Sequence, residues 1–192
     1  MLSIANASLK RSLAAQESFG QTGLNLVVQA AEIIARAFAA GNKLLAFGNG
    51  GSAADAQHLA AELINRYRLE RPPLPALALT TDTSALTSIA NDYSFDEIFA
   101  KQIKGLGKPG DVALGISTSG RSANVIKGLA AARTREMTTI GLTGQDPGEM
   151  APLCNILIPA PSGETARVQE VHTVVIHLVC ELVDFKLFGK TE

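Results

Sequence analysis

Apolar residues Val27, Ala31, Ile34, Ala35 and Phe38 recur at three- and four-residue spacing across residues 24–40, which predicts an amphipathic helix. The first forty residues as a whole read as helix, and the glycine-containing stretch 18–23 separates this helix from an earlier one. From Lys43 onward the pattern changes to short apolar runs at residues 44–47, 76–79, 112–116, 139–142 and 156–158. Continuous apolar runs of this length suit strands buried on both faces, as in a parallel sheet. Helical stretches at residues 53–67, 96–104 and 122–134 fall between them, and a long final helix is predicted over residues 164–188. Alternation of this kind implies right-handed crossovers and a single-domain, doubly wound α/β fold with helices on both faces of the sheet. The domain spans residues 1–192, with leading helices in 1–41 and the α/β core in 42–192. The leading helices precede the first strand and so cannot be sheet crossovers. Their apolar faces need a partner, either this domain or a second subunit.

Composition narrows the class. Hydrophobic residues make up 46% and charged residues 18%, enough for a full core and too few charges for a disordered chain. With 17 Lys and Arg against 18 Asp and Glu, the chain lacks the basic excess of a general nucleic-acid binder. Cys154 and Cys180 form no C-x-x-C pattern and read as free thiols. No apolar run is long enough for a membrane span, and Lys10, Arg11, Gln16 and Glu17 interrupt any signal-peptide core. The expectation is a soluble cytoplasmic protein.

In doubly wound folds ligands bind beyond the carboxyl ends of the strands. The first predicted strand runs into Gly48-Asn49-Gly50-Gly51-Ser52 ahead of a helix. Glycines let backbone N–H groups approach an anion, and the helix N-terminus adds partial positive charge. The run lacks the Lys-Ser/Thr of a nucleoside-triphosphate loop and the G-x-G-x-x-G spacing, so no nucleotide cofactor is indicated. A tight turn capped by Ser52 is the plain alternative. The third strand runs into Ser117-Thr118-Ser119-Gly120-Arg121-Ser122, again before a helix. Capping needs one hydroxyl, and this loop supplies four within six residues. Together the two loops predict a sugar-phosphate site.

All three histidines fall on predicted helices. His58 and Glu62, four apart, lie about 40° apart on one helical face. On the final helix Gln169 lies about 60° from His172 and about 80° from His177, while the two histidines diverge by about 140°. Spacing alone leaves open which of them joins Gln169.

The glycine loop, the pair His58 and Glu62, Asn65-Arg66-Tyr67-Arg68, Asn91-Asp92, the serine loop with Ser122-Ala123-Asn124, Leu142-Thr143-Gly144, and Arg167 through His172 with His177 occur in this order. In that combination the chain resembles the phosphoheptose isomerases of the sugar isomerase (SIS) fold over essentially its whole length. The resemblance implies a flavodoxin-like sheet, a cytoplasmic homotetramer built with the leading helices, and no membrane or nucleic-acid partner. It implies conversion of sedoheptulose 7-phosphate to D-glycero-D-manno-heptose 7-phosphate, early in heptose synthesis for lipopolysaccharide. It maps phosphate binding onto Ser117, Thr118, Ser119 and Ser122, and substrate contacts onto Asn49, Gly50, Gly51, Asn91 and Asp92. Ser52, Glu62, Arg66 and Gln169 complete that set, although an ion pair is the plain alternative for Arg66. It places a zinc ion among His58, Glu62, Gln169 and His177, leaving His172 a structural residue, and makes Glu62 and His177 the catalytic pair. The competing readings are a non-catalytic SIS protein that binds the replication initiator and a SIS sugar-phosphate sensor.

Overall fold

The computed structural model describes residues 1–189. Helices α1 (Leu2–Thr22) and α2 (Leu24–Ala39) precede strand β1 (Leu44–Gly48), followed by α3 (Gly51–Ile64) and β2 (Ala76–Ala78). Next come α4 (Thr83–Asp92), a 3₁₀ turn at Phe95–Glu97, α5 (Ile98–Leu106), β3 (Val112–Ser117) and α6 (Ala123–Thr134). The chain closes with β4 (Thr138–Thr143), a 3₁₀ segment at Gly148–Leu153, β5 (Ile156–Pro159) and α7 (Thr165–Phe188). All five strands are parallel, in the order β2-β1-β3-β4-β5.

Successive side chains of a strand point to opposite faces, and each face of this sheet carries its own core. Leu44 and Ala46 of β1 pack with buried residues of α2, α3 and α7. Leu45 and Phe47 pack on the other side with Phe99 and Ile103 of α5 and Val125 and Leu129 of α6. The β1–β3 register sets Leu44 beside Val112 and Phe47 beside Gly115, so the two strands end together where both candidate loops begin.

The leading helices behave differently from each other. α2 buries Val27, Ala30, Ala31, Ile34 and Ala35 in the core of its own domain. α1 buries only Ser12, Ala15 and Phe19, and leaves Leu2, Ile4, Leu9 and Leu13 exposed. The break between them is the single residue Gly23, so α1 runs through most of the stretch expected to separate the two helices.

Three further expectations shift. α3 runs from Gly51 to Ile64 rather than over 53–67. α4 was not foreseen: none of its residues is fully buried, so its sequence carries little apolar periodicity, and it is secured by Asp82, whose carboxylate accepts from the Ala85 N–H at 2.9 Å. β2 is an edge strand of three residues with Leu77 exposed, so its apolar run does not mark burial on both faces.

Candidate active site

At the carboxyl end of β1, Gly50 turns the chain with φ +55°, a conformation that favours glycine, and α3 starts immediately afterwards. No side chain caps this helix start, and Ser52 lies buried inside the first turn rather than at its cap. In that first turn the Ser52 N–H donates to the Asn49 carbonyl and the Ala53 N–H to the Gly50 carbonyl, each at 3.0 Å. Gly51 has a second reason to be glycine: a Cβ there would lie 2.4 Å from Nε2 of Gln169 on α7. Gln169 and Gly51 line one side of an open groove of about 360 Å³ with Asp55 and Thr173. On the other side of the glycine loop, Gly48, Asn49 and Gly50 line a cleft of about 190 Å³ with Phe95 and Phe99.

The serine loop sits at the end of the adjacent strand. Ser122 occupies the cap position of α6 yet makes no capping hydrogen bond; its hydroxyl lies 2.9 Å from that of Ser117. The Ser119 hydroxyl lies 3.4 Å from Ser117 and accepts from the Arg121 N–H at 3.2 Å. Thr118 gives its carbonyl to the Gly144 N–H, which fixes the loop against the end of β4. Gly120 turns the loop with φ +64°, and a Cβ there would sit 2.1 Å from the Pro147 carbonyl oxygen. The hydroxyls of Ser117, Ser119 and Ser122 thus converge on one another instead of capping the helix. Asn49 and Asn124 tie the two loops together by reciprocal side-chain amide hydrogen bonds of 2.8 Å each.

The histidines resolve sharply. His58 and Glu62 share one face of α3, with Nε2 to Oε1 at 3.3 Å. Across the helix interface, His177 Nε2 approaches His58 Nε2 at 3.3 Å, the two rings edge to face. His172 points the other way, fully buried, with Nε2 donating to the Thr143 carbonyl at 3.0 Å. Burial lowers the pKa of His172 to about 4, against the opposing effect of that backbone bond, so the ring is neutral and structural.

Not every expected residue joins this cluster. Gln169 lies against Gly51, about 12 Å along the axis of α7 from His177. Asn91 and Asp92 form the exposed end of α4, where the Asn91 amide donates to the Asp92 carboxylate at 2.9 Å. Arg66 lies beyond the end of α3 and makes an exposed ion pair with Glu70 at 3.3 Å, so that alternative is realised without a helix beneath it.

Three residues in this region carried no sequence signal strong enough to single them out. Tyr67 stacks on His177 with ring centroids 5.6 Å apart, and burial, then the nearby Glu181 charge, raise its phenol pKa. Asp55 accepts from Thr173 at 3.4 Å, and one of its carboxylate oxygens is buried without a partner. Burial raises the Asp55 pKa, while the Thr173 bond and His58 act to lower it. Tyr67 and Asn124 were visible only as members of motifs.

Donors bound to zinc at about 2.0–2.1 Å in a tetrahedron stand about 3.3 Å apart. His58 Nε2 holds that spacing to both Glu62 Oε1 and His177 Nε2, and imidazole with carboxylate is a chemically suitable set. Among the described residues no group of three or more His, Cys, Asp or Glu side chains is placed to hold a metal ion. The zinc-like spacing therefore holds for His58 with each partner in turn and not for a three-donor group.

A five-stranded parallel sheet with a glycine loop and a serine loop at the ends of neighbouring strands, flanked by helices, is the architecture of a SIS domain, and the family model of that domain matches residues 9–144. A phosphoheptose isomerase of Shewanella sp. (strain ANA-3) is 58% identical over 169 residues, covering 86% of each chain. The solved phosphoheptose isomerase GmhA from Neisseria gonorrhoeae superposes with a TM-score of 0.91 at 46% identity, over 95% of this chain and 98% of that one. That from Francisella tularensis gives 0.92 at 36% identity, over 95% and 97%. The chain belongs to the SIS-domain family, and within it to the phosphoheptose isomerases.

Proposed function

We propose that the protein interconverts sedoheptulose 7-phosphate and D-glycero-D-manno-heptose 7-phosphate through an enediol. The observation that carries this reading is His58 set 3.3 Å from both Glu62 and His177, at one face of α3, while the N-terminus of the same helix meets the glycine loop. From Gly51 to His58 is about 10 Å along the helix axis, the length scale of a sugar phosphate.

Moving a carbonyl from C2 to C1 requires loss of a proton from C1, proton exchange between the two oxygens, and return of a proton to C2. Glu62 is the base at carbon and His177 moves the proton at oxygen near neutral pH. Ser117, Thr118, Ser119 and Ser122 bind the phosphate with neutral donors, and Asn49, Gly50, Gly51 and Ser52 line the sugar. Anchoring the far end of the substrate holds the reacting carbons in place. Arg66, Asn91, Asp92 and Gln169 are assigned to the substrate on family resemblance alone. On family resemblance His58, Glu62, Gln169 and His177 would hold a zinc ion, and in the single chain only the first two and His177 lie together, with Gln169 against Gly51. When bound, such an ion polarises the carbonyl and orients the two oxygens.

The exposed Leu2, Ile4, Leu9 and Leu13 of α1 support assembly of the chain into a homotetramer through its leading helices. Two free thiols, Cys154 and Cys180, support a cytoplasmic location. No helix among the described residues is long and apolar enough to cross a membrane. The product suits heptose synthesis for lipopolysaccharide. A protein that only binds an initiator or senses a sugar has no use for a carboxylate and two imidazoles set at these distances.

The test is an isomerase assay on sedoheptulose 7-phosphate, run with and without chelator. Turnover of that sugar is expected. No turnover of any sugar phosphate, with capture of a replication protein instead, would replace this reading by the binding-module one.

A further inference from the structure

α3 stops at Ile64, and the last carbonyls of a helix have no intrahelical partners. Here two of them, those of Glu62 and Leu63, accept from one side chain that returns from beyond the helix. Arg71 Nη2 donates to the carbonyl of Glu62 at 3.0 Å, and Nη1 donates to Leu63 at 2.6 Å and to Asn65 at 3.4 Å. Its Nε donates to Asp184 Oδ1 at 2.9 Å. Both partners are almost completely buried, with 1% and 2% of their side-chain surface exposed.

Asp184 lies on α7, seven residues after His177, which on a helix is two turns away on nearly the same face. One guanidinium therefore spans the end of α3 that carries Glu62 and the helix that carries His177. Its planar fork fixes direction as well as distance, which a lysine ammonium does not. A buried ion pair is a poor source of stability, because desolvation cancels much of the attraction, and apolar replacement of both partners is often neutral or better. The cation also faces the negative end of the α3 dipole.

We propose that Arg71, backed by Asp184, is a positioning residue that fixes Glu62 relative to His177 across the α3–α7 interface. It touches no reacting atom and acts only through the backbone of Glu62. The proposal rests on the isomerase reading for its kinetic readout, and a second readout is independent of turnover.

The test compares wild type with Arg71→Lys and with the double variant Arg71→Met, Asp184→Leu, each checked first by thermal unfolding. In the isomerase assay kcat is expected to fall about ten- to a hundredfold in both, with KM within about threefold of wild type, since the phosphate loops lie at the other end of α3. Separately, the chain has three histidines, and their ring signals can be followed by NMR at one fixed pH. Those of His58 and His177 are expected to shift in both variants, while that of His172, buried against β4, stays in place. Inactive wild type would remove the isomerase reading and leave the NMR comparison to judge the bracket. Unmoved His58 and His177 signals, or a folded double variant with wild-type kcat, would overturn it. So would loss of activity strictly in step with loss of folded protein in every variant, since the pair would then serve the fold alone.

Discussion

Asn49 and Asn124 each donate one amide hydrogen bond to the other, both at 2.8 Å, and by doing so join the loop after β1 to the helix that follows β3. Asn124 is buried, so neither bond can be replaced by water without rearrangement. The glycine loop and the serine loop are thereby held in one register. Asn124→Ala is expected to raise KM for the sugar phosphate about tenfold. The two single alanine variants and the double variant should be strongly non-additive in KM, as residues of one bonded pair are. Additive effects would mean that the two loops are set independently.

Glu62→Gln keeps the shape of the side chain and removes the base. We expect kcat to fall by about a thousandfold, within the range of general-base contributions, while the molecular mass measured by light scattering equals that of the wild type. Near-normal kcat in the variant would assign proton removal at carbon to another group.

Chelation should lower turnover while leaving the fold largely intact, because the core on both sheet faces is built without a metal. The measurement is kcat and far-ultraviolet circular dichroism on the same chelated sample, followed by zinc readdition. Full activity with no bound metal would remove zinc from the mechanism.

His172 links stability to pH. Its folded pKa, about 4, is below the ordinary value of 6.5, so between these values the unfolded chain binds the proton more tightly. The stabilisation is complete above pH 6.5 and is lost as the pH falls towards 4, with roughly 3 kcal/mol at stake. Denaturant titrations across this window should show that loss in wild type. In His172→Phe the slope should be shallower by one proton, on a lower plateau because the Thr143 carbonyl loses its donor. An unchanged slope would show that other groups carry the acid sensitivity.

Ser122→Ala should weaken phosphate binding more than it weakens the fold, since the hydroxyl is not used as a helix cap. A severalfold rise in KM with a thermal midpoint within a degree or two of wild type is expected; a large drop in midpoint with unchanged KM would return Ser122 to a structural role.

The five strands were legible because each is a short apolar run, and both candidate loops followed from what ends β1 and β3. Residues whose placement depends on distant chain were not legible. α4 escaped because Leu86, Ile89 and Ala90 are only half-buried, so selection for a continuous apolar face is weak there. The end of α3 is set by Arg71 arriving on its last carbonyls, and nothing in the Asn65–Arg68 stretch itself marks that stop. Angular arithmetic on α7 separated His172 from His177 but could not choose between them. The choice is made by neighbours, the Thr143 carbonyl for one and His58 for the other. Family resemblance named Gln169 a metal ligand, yet in the single chain its amide lies against Gly51.

α7 carries Gln169, His177 and Asp184 on one unbroken rod of 24 residues. Their separations are thus kept by counting residues, and the helix acts as a graduated rule laid across the sheet. Inserting or deleting one residue between them would turn everything downstream by about 100° and leave the upstream contact untouched. An insertion of about seven residues would restore the phase, and would still carry the displaced group about 10 Å along the axis. Turns elsewhere absorb length changes at small entropic cost. In this helix a substitution acts at one place, whereas a change of length displaces every group beyond it.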